Sequence, residues 1–284
     1  MGNVQKAGEI GKILVDGGED NPTVNQVLVD FCRTLDKERK KAEADRIKAN
    51  SLVDAKGVAE AGKRLGEYES LMGELLKRIS NRRQFTPSAM RYVIELCTEV
   101  NLIDQASKLC QDLEEKAEND PNFAKYKSWV LSQKIGISRK AGKFEEAAAA
   151  AEKLVEENPK ALDPRMELGR IYEDWAQIDP SKFDEAARRW AQVRNLLDPA
   201  KRRKEFAAPY YEANYHASLC MFQLAKQLLL PKDKKAAVDK ATEGGKFLTA
   251  SLVQAPKLSG PDMVTRYKAL KEEINTFRAK NKVE

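Results

Sequence analysis

The chain has 284 residues, 50 basic against 44 acidic side chains for a net charge of +6, and 42% hydrophobic content. That apolar content can build a core, which argues against wholesale disorder, and the mixture of both charge signs along the chain argues against a dedicated nucleic-acid binder with one basic face. No run of about 18 apolar residues is present to cross a membrane as a helix.

Only 15 glycines and 11 prolines punctuate a sequence rich in Ala, Leu, Glu and Lys, residues that lose little rotamer freedom in a helix. Apolar residues recur at helical spacing nearly throughout, and strand-like alternation is absent. The first predicted helix, Val4 to Val15, begins without the basic, apolar, small-residue order of a signal peptide, as in a piece cut from a longer chain. A soluble protein is expected, and its compartment stays open. Gly17-Gly18 reads as a loop. Asn21-Pro22 supplies a side-chain cap followed by proline at the first helical position, and Val24, Val27, Leu28, Phe31 and Leu35 form one stripe beyond it. The sequence then turns highly charged and meets no breaker until about Gly57, after which Leu65, Tyr68, Leu71, Met72, Leu75, Leu76 and Ile79 mark a return helix to Ser80. This predicts a long helical hairpin with a solvated far end. A coiled coil is the other reading, but its heptad pattern is not sustained. Residues 1–85 are therefore expected to form an N-terminal helical segment, and 86–284 a set of repeats with a closing helix.

Thr86-Pro87 opens the next helix, with Met90, Val93, Ile94, Cys97 and Val100 facing inward; Asn101 ends it and Ile103 to Glu118 returns. From here the chain repeats itself. Gly142-Lys143-Phe144-Glu145-Glu146-Ala147 leads to Ala151, Leu154 and Asn158-Pro159, while Phe183-Asp184-Glu185-Ala186 leads to Trp190, Val193 and Asp198-Pro199. Leu168-Gly169-Arg170-Ile171-Tyr172 stands ahead of the second copy. Small residues (Gly169, Ala147, Ala186) suit close helix crossings, and large ones (Tyr172, Phe144, Phe183, Trp190) fill the adjoining gaps. A weaker copy starts at Ile103-Asp104-Gln105-Ala106, a later one pairs Tyr211 to Gln227 with Lys234 to Val253, and Asp262 to Lys280 reads as a solitary amphipathic closing helix. This pattern, carried by residues 87–256, resembles the tetratricopeptide repeat in its L-G-x-x-Y first helix and aromatic-x-x-Ala second helix. The spacings of 41 and 39 residues between copies exceed the family's usual period of about 34, with the surplus falling in loops. The resemblance implies an all-α fold, a right-handed superhelical stack of antiparallel helix hairpins (a TPR-like α-solenoid).

Motifs for chemistry are few. His216 is the single histidine and has no visible catalytic or metal-ligating companions, so it reads as a structural residue beside the core or groove. There is no phosphate-binding loop and no dinucleotide fingerprint, and hence no expected cofactor or metal. The abundant carboxylates, Glu145-Glu146 and Glu156-Glu157 among them, read as solvated faces, and no enzymatic activity is expected. Cys32, Cys97, Cys110 and Cys220 each sit in an apolar helical pattern as small hydrophobes, although Cys97 and Cys110 fall on consecutive helices within reach of a single bridge.

The family resemblance implies that the first helix of each hairpin lines a concave groove that holds a peptide or a partner helix. Trp129, Ser132, Arg139, Met166, Arg170, Glu173, Asp174, Tyr215 and Phe222 are the candidate groove residues, and their mixed charge argues against the all-basic clamp some family members use for a terminal carboxylate. A non-catalytic protein–protein interaction scaffold is the expected function. The alternative is a nucleic-acid-associated helical protein using the basic loop 201–204 (Lys201-Arg202-Arg203-Lys204) and the 37–41 helix tip (Lys37, Arg39, Lys40, Lys41), with Phe206, Tyr210, Tyr211 and Tyr215 placed either to stack bases or to pack a core.

Overall fold

The computed structural model describes residues 2–51, 54–198 and 204–281. Every regular element among them is helical and no strand is present among the described residues. The chain divides into two compact units, Met1–Lys140 and Ala141–Glu284, each with its own buried cluster.

The first unit contains α1 (Gly2–Gly17), α2 (Pro22–Ser51), α3 (Ala55–Ile79), α4 (Pro87–Glu99), α5 (Ile103–Asn119), the four-residue α6 (Pro121–Ala124) and α7 (Lys127–Lys140). Asn21 caps α2 by accepting from the Val24 amide at 2.9 Å, and Thr86 caps α4 by accepting from Ala89, with proline at the first position of both helices. Asn101 adopts a left-handed backbone (φ 61°) in the turn between α4 and α5, a conformation in which Asn is among the better-tolerated side chains. The long helices α2 and α3 pack along one another, and the alanines Ala42, Ala49 and Ala61 are buried toward their far end. Small side chains therefore let the two backbones approach there, while Ile47 of the same stretch stays 61% exposed. Leu28, Met72, Leu76, Met90, Ile94, Leu109 and Leu113 form the middle of the core, so the stretch 86–140 shares its buried cluster with α2 and α3.

The 37–41 segment is not a helix tip. It lies in the middle of α2, with Arg39 buried at 8% exposure and bonded to Asp36 at 2.9 Å and to Glu99 of α4 at 3.1 Å. Lys40 bridges the same two carboxylates, at 2.8 and 3.4 Å. Two cations of that cluster are thereby neutralised, because the neighbouring helix brings a carboxylate that the local charge pattern could not reveal.

The second unit contains α8 (Phe144–Glu157), α9 (Leu162–Ala176), α10 (Phe183–Leu197), α11 (Lys204–Leu224), α12 (Lys234–Gln254) and α13 (Pro261–Lys280), with a 3-10 turn before α10 and a π-helical turn (Ala225–Leu229) after α11. Each helix packs on its successor, and α13 also reaches α11. The expected small-against-large contact is present: a β-carbon on Gly169 would lie 2.6 Å from two atoms of the fully buried Trp190 ring. Gly244 likewise passes close to the backbone of Ser218, where a β-carbon would stand 3.1 Å from the carbonyl oxygen. Tyr210 and Tyr211 are buried edge-to-face core residues, 5.1 Å between ring centroids, and Tyr267 donates its hydroxyl to the Tyr211 carbonyl at 2.7 Å. Those two tyrosines therefore take the packing role of the two open to them. The four cysteines are free and buried, so Cys97 and Cys110 form no bridge.

Candidate functional site

The second unit gathers a polar cluster on one face of α9, α11 and α13. Its anchor is Glu173 on α9. One carboxylate oxygen accepts from the Trp190 indole N–H at 2.8 Å, and the His216 Nδ1 lies 2.9 and 3.0 Å from the two oxygens. The imidazole is stacked on the Trp190 ring (centroids 4.8 Å apart, planes 21° apart) and meets Tyr215 edge-on at 5.3 Å. Its other nitrogen, Nε2, faces two groups at once: Glu212 Oε1 at 3.7 Å and the Arg266 guanidinium on α13 at 3.4 Å. Arg266 in turn lies over the Tyr215 ring, 4.2 Å from its centroid.

Helical periodicity explains this meeting. Glu212 and His216 are one turn apart on α11 and therefore neighbours on its surface. Gly169 lets α10 come close, which brings Trp190 beneath Glu173. Burial pulls the His216 pKa down, but hydrogen bonds to Glu173 and Glu212 and their negative charge outweigh it and leave the group at about 8, above its ordinary 6.5. Hydrogen bonding to His216, helped by the charges of His216, Arg266 and Arg170, holds the Glu212 carboxyl below its usual value against the opposing effect of burial. Arg170 also pairs with Glu167 at 3.1 Å.

Of the candidate groove residues, Glu173 and Tyr215 each contact His216 in this cluster, and Arg170 acts on it through the field at Glu212. Asp174 is half-buried on the same helix. Met166 and Phe222 are core residues instead, at 9% and 2% exposure; Phe222 packs edge-to-face on Phe277 of α13 and offers no surface to a partner. In the first unit, Trp129 is half-buried on α7 beneath the Arg91 guanidinium, 5.2 Å from the ring centroid, Ser132 is exposed with its hydroxyl donating to the Ser128 carbonyl, and Arg139 is half-buried. The basic loop 201–204 lies outside the described residues, apart from the backbone of Lys204, which opens α11.

Sequence reasoning missed Glu212 and Arg266, and treated His216 as inert. The i, i+4 pair Glu212–His216 was the available local signal; Arg266 sits 50 residues further along the chain and had none. Among the described residues no group of three or more His, Cys, Asp or Glu side chains is arranged to hold a metal ion, and no helix is long and apolar enough to cross a membrane.

Neither a protein-family model nor a curated protein matches the sequence. A solved structure described as a DHF58 filament is similar over 98% of this chain and 95% of that one, at 14% identity and a TM-score of 0.24, a score at which the likeness carries no argument about fold or function.

Proposed function

We propose that the protein is a non-catalytic binding scaffold built of tetratricopeptide-like hairpins, and that the polar face of α9, α11 and α13 grips a peptide or a helix of a partner protein. The observation that supports this reading most is the convergence on one face of residues from the first helices of successive hairpins, Arg170 and Glu173 from α9 with Tyr215 and His216 from α11. Such a face mixes an aromatic surface with fixed charges of both signs, which suits a polar peptide held by a few charged contacts more than an apolar helix. The supporting role of Gly169 and Trp190 beneath it keeps the charged groups in place without placing them in the core.

The test is a pull-down with the full chain, comparing wild type with Arg170→Glu plus Tyr215→Ala. Loss of a specifically captured protein by the double variant, with unchanged circular dichroism, supports the face as the binding surface; capture that persists undiminished sinks the assignment. Retention on heparin addresses the nucleic-acid alternative, which predicts elution that depends steeply on salt. The neutralisation of Arg39 and Lys40 by Asp36 and Glu99 weighs against that alternative.

A further inference from the structure

The position of His216 Nε2 between an acceptor and a donor suggests more than a fixed contact. On α11 itself, Glu212 stands 3.7 Å from this nitrogen, and Arg266 approaches it from α13 at 3.4 Å. A neutral imidazole carrying its proton on Nδ1, as the Glu173 carboxylate favours, exposes a lone pair at Nε2 that can accept only from Arg266. A protonated ring has N–H at both nitrogens, so Nε2 can donate only to Glu212, and it repels Arg266. The remaining groups around the ring do not compete for Nε2. Trp190 from α10 stacks on the ring face and spends its N–H on Glu173, Tyr215 meets it edge-on, and Arg170 of α9 acts on Glu212. Cys220, one turn further along α11, is buried with its thiol pushed well above its ordinary value, so it adds no charge.

We infer that His216 is a proton-operated selector, pairing with Glu212 when charged and with Arg266 when neutral, while its bond to Glu173 is kept in both states. The exchange changes which of the two side chains stays free on the face: Arg266 is released toward solvent and Tyr215 on protonation, and Glu212 on deprotonation. Through it the face swaps an available cation for an available anion near neutral pH. The consequence for partners rests on the binding reading above, but the exchange itself is a property of the free chain and is measured without any partner.

Because His216 is the one histidine of the chain, its ring resonances are unambiguous in a titration followed by NMR. The wild type is expected to show a single midpoint near 8, with nitrogen shifts above it reporting the proton on Nδ1. Glu212→Gln should lower the midpoint by about one pH unit, the scale of an opposite charge removed from nearby, and Arg266→Met should raise it by a similar amount. A neutral form protonated on Nε2, or a midpoint unmoved by Arg266→Met in a chain whose circular dichroism matches wild type, overturns the selector. Either result leaves the pull-down outcome standing on its own, so failure of the switch and failure of the binding face are told apart.

Discussion

At the scale of single residues, Gly169 and His216 make opposite demands on their surroundings. A β-carbon at Gly169 would collide with the ring of the fully buried Trp190, so Gly169→Ala should destabilise the protein by about 1–3 kcal/mol, read as a lowered melting temperature. An unshifted melting temperature would show that α9 and α10 can separate at little cost. His216 contributes through its charge. Its pKa is raised on folding, from 6.5 to about 8, so its stabilisation is complete below 6.5 and disappears as pH rises through about 8. Urea unfolding of wild type and His216→Gln should therefore differ by about 2 kcal/mol more in mildly acid than in alkaline buffer. A gap that is constant with pH would mean the ring acts by packing alone. That Gly169 suits a close helix crossing and Trp190 an adjoining gap was legible from their residue types and places in the repeat, but that the two meet follows from the packing of α10 on α9. The imidazole's partners were not, since three of the four helices that supply them are brought together only by tertiary packing.

At the scale of elements, α2 shows where local pattern reading stops. Its cap and its first apolar stripe follow from Asn21, Pro22 and the run from Val24 to Leu35, and its continuation to Ser51 from the lack of a breaker in the charged stretch beyond. The charged stretch after Leu35 looks uniformly solvated, yet Asp36 and Arg39 are buried because α4 packs there and supplies Glu99. Removing Arg39 leaves Asp36 held by Lys40 alone, so Arg39→Met should cost about 1–3 kcal/mol, whereas Asp36→Leu combined with Arg39→Met should cost less than the sum of the two single changes. Chemical denaturation of the single and double variants measures this, and additive losses would show that the two charges are independent. The capping hydroxyl of Thr86 offers a milder check on α4: Thr86→Ala should cost about 1 kcal/mol. Caps and proline positions are written in the chain itself, which is why the helix starts were readable; the ion pair across α2 and α4 spans 60 residues and was not.

At the scale of the whole molecule, helical periodicity and scarce breakers were enough to establish an all-α fold among the described residues. The predicted helical hairpin and the Thr86-Pro87 helix start suggest a division after residue 85, whereas the buried clusters group 1–140 and 141–284, because Met90, Val93 and Ile94 of α4 pack with Leu28 and Met72. Met72→Ala, at a site with no exposed surface, should cost about 2–5 kcal/mol and reduce hydrogen-exchange protection across α2 to α5 together. Protection lost in α3 alone would mean the cluster is not cooperative. The buried thiols extend this logic. Cys32, Cys97 and Cys110 sit in the first unit and Cys220 in the second, all sealed from solvent and held protonated by their apolar surroundings. An alkylating reagent can reach them only while the surrounding helices part, so the chain carries a clock in each half: mass spectrometry of partially alkylated protein would time the breathing of the two halves separately, with no probe added.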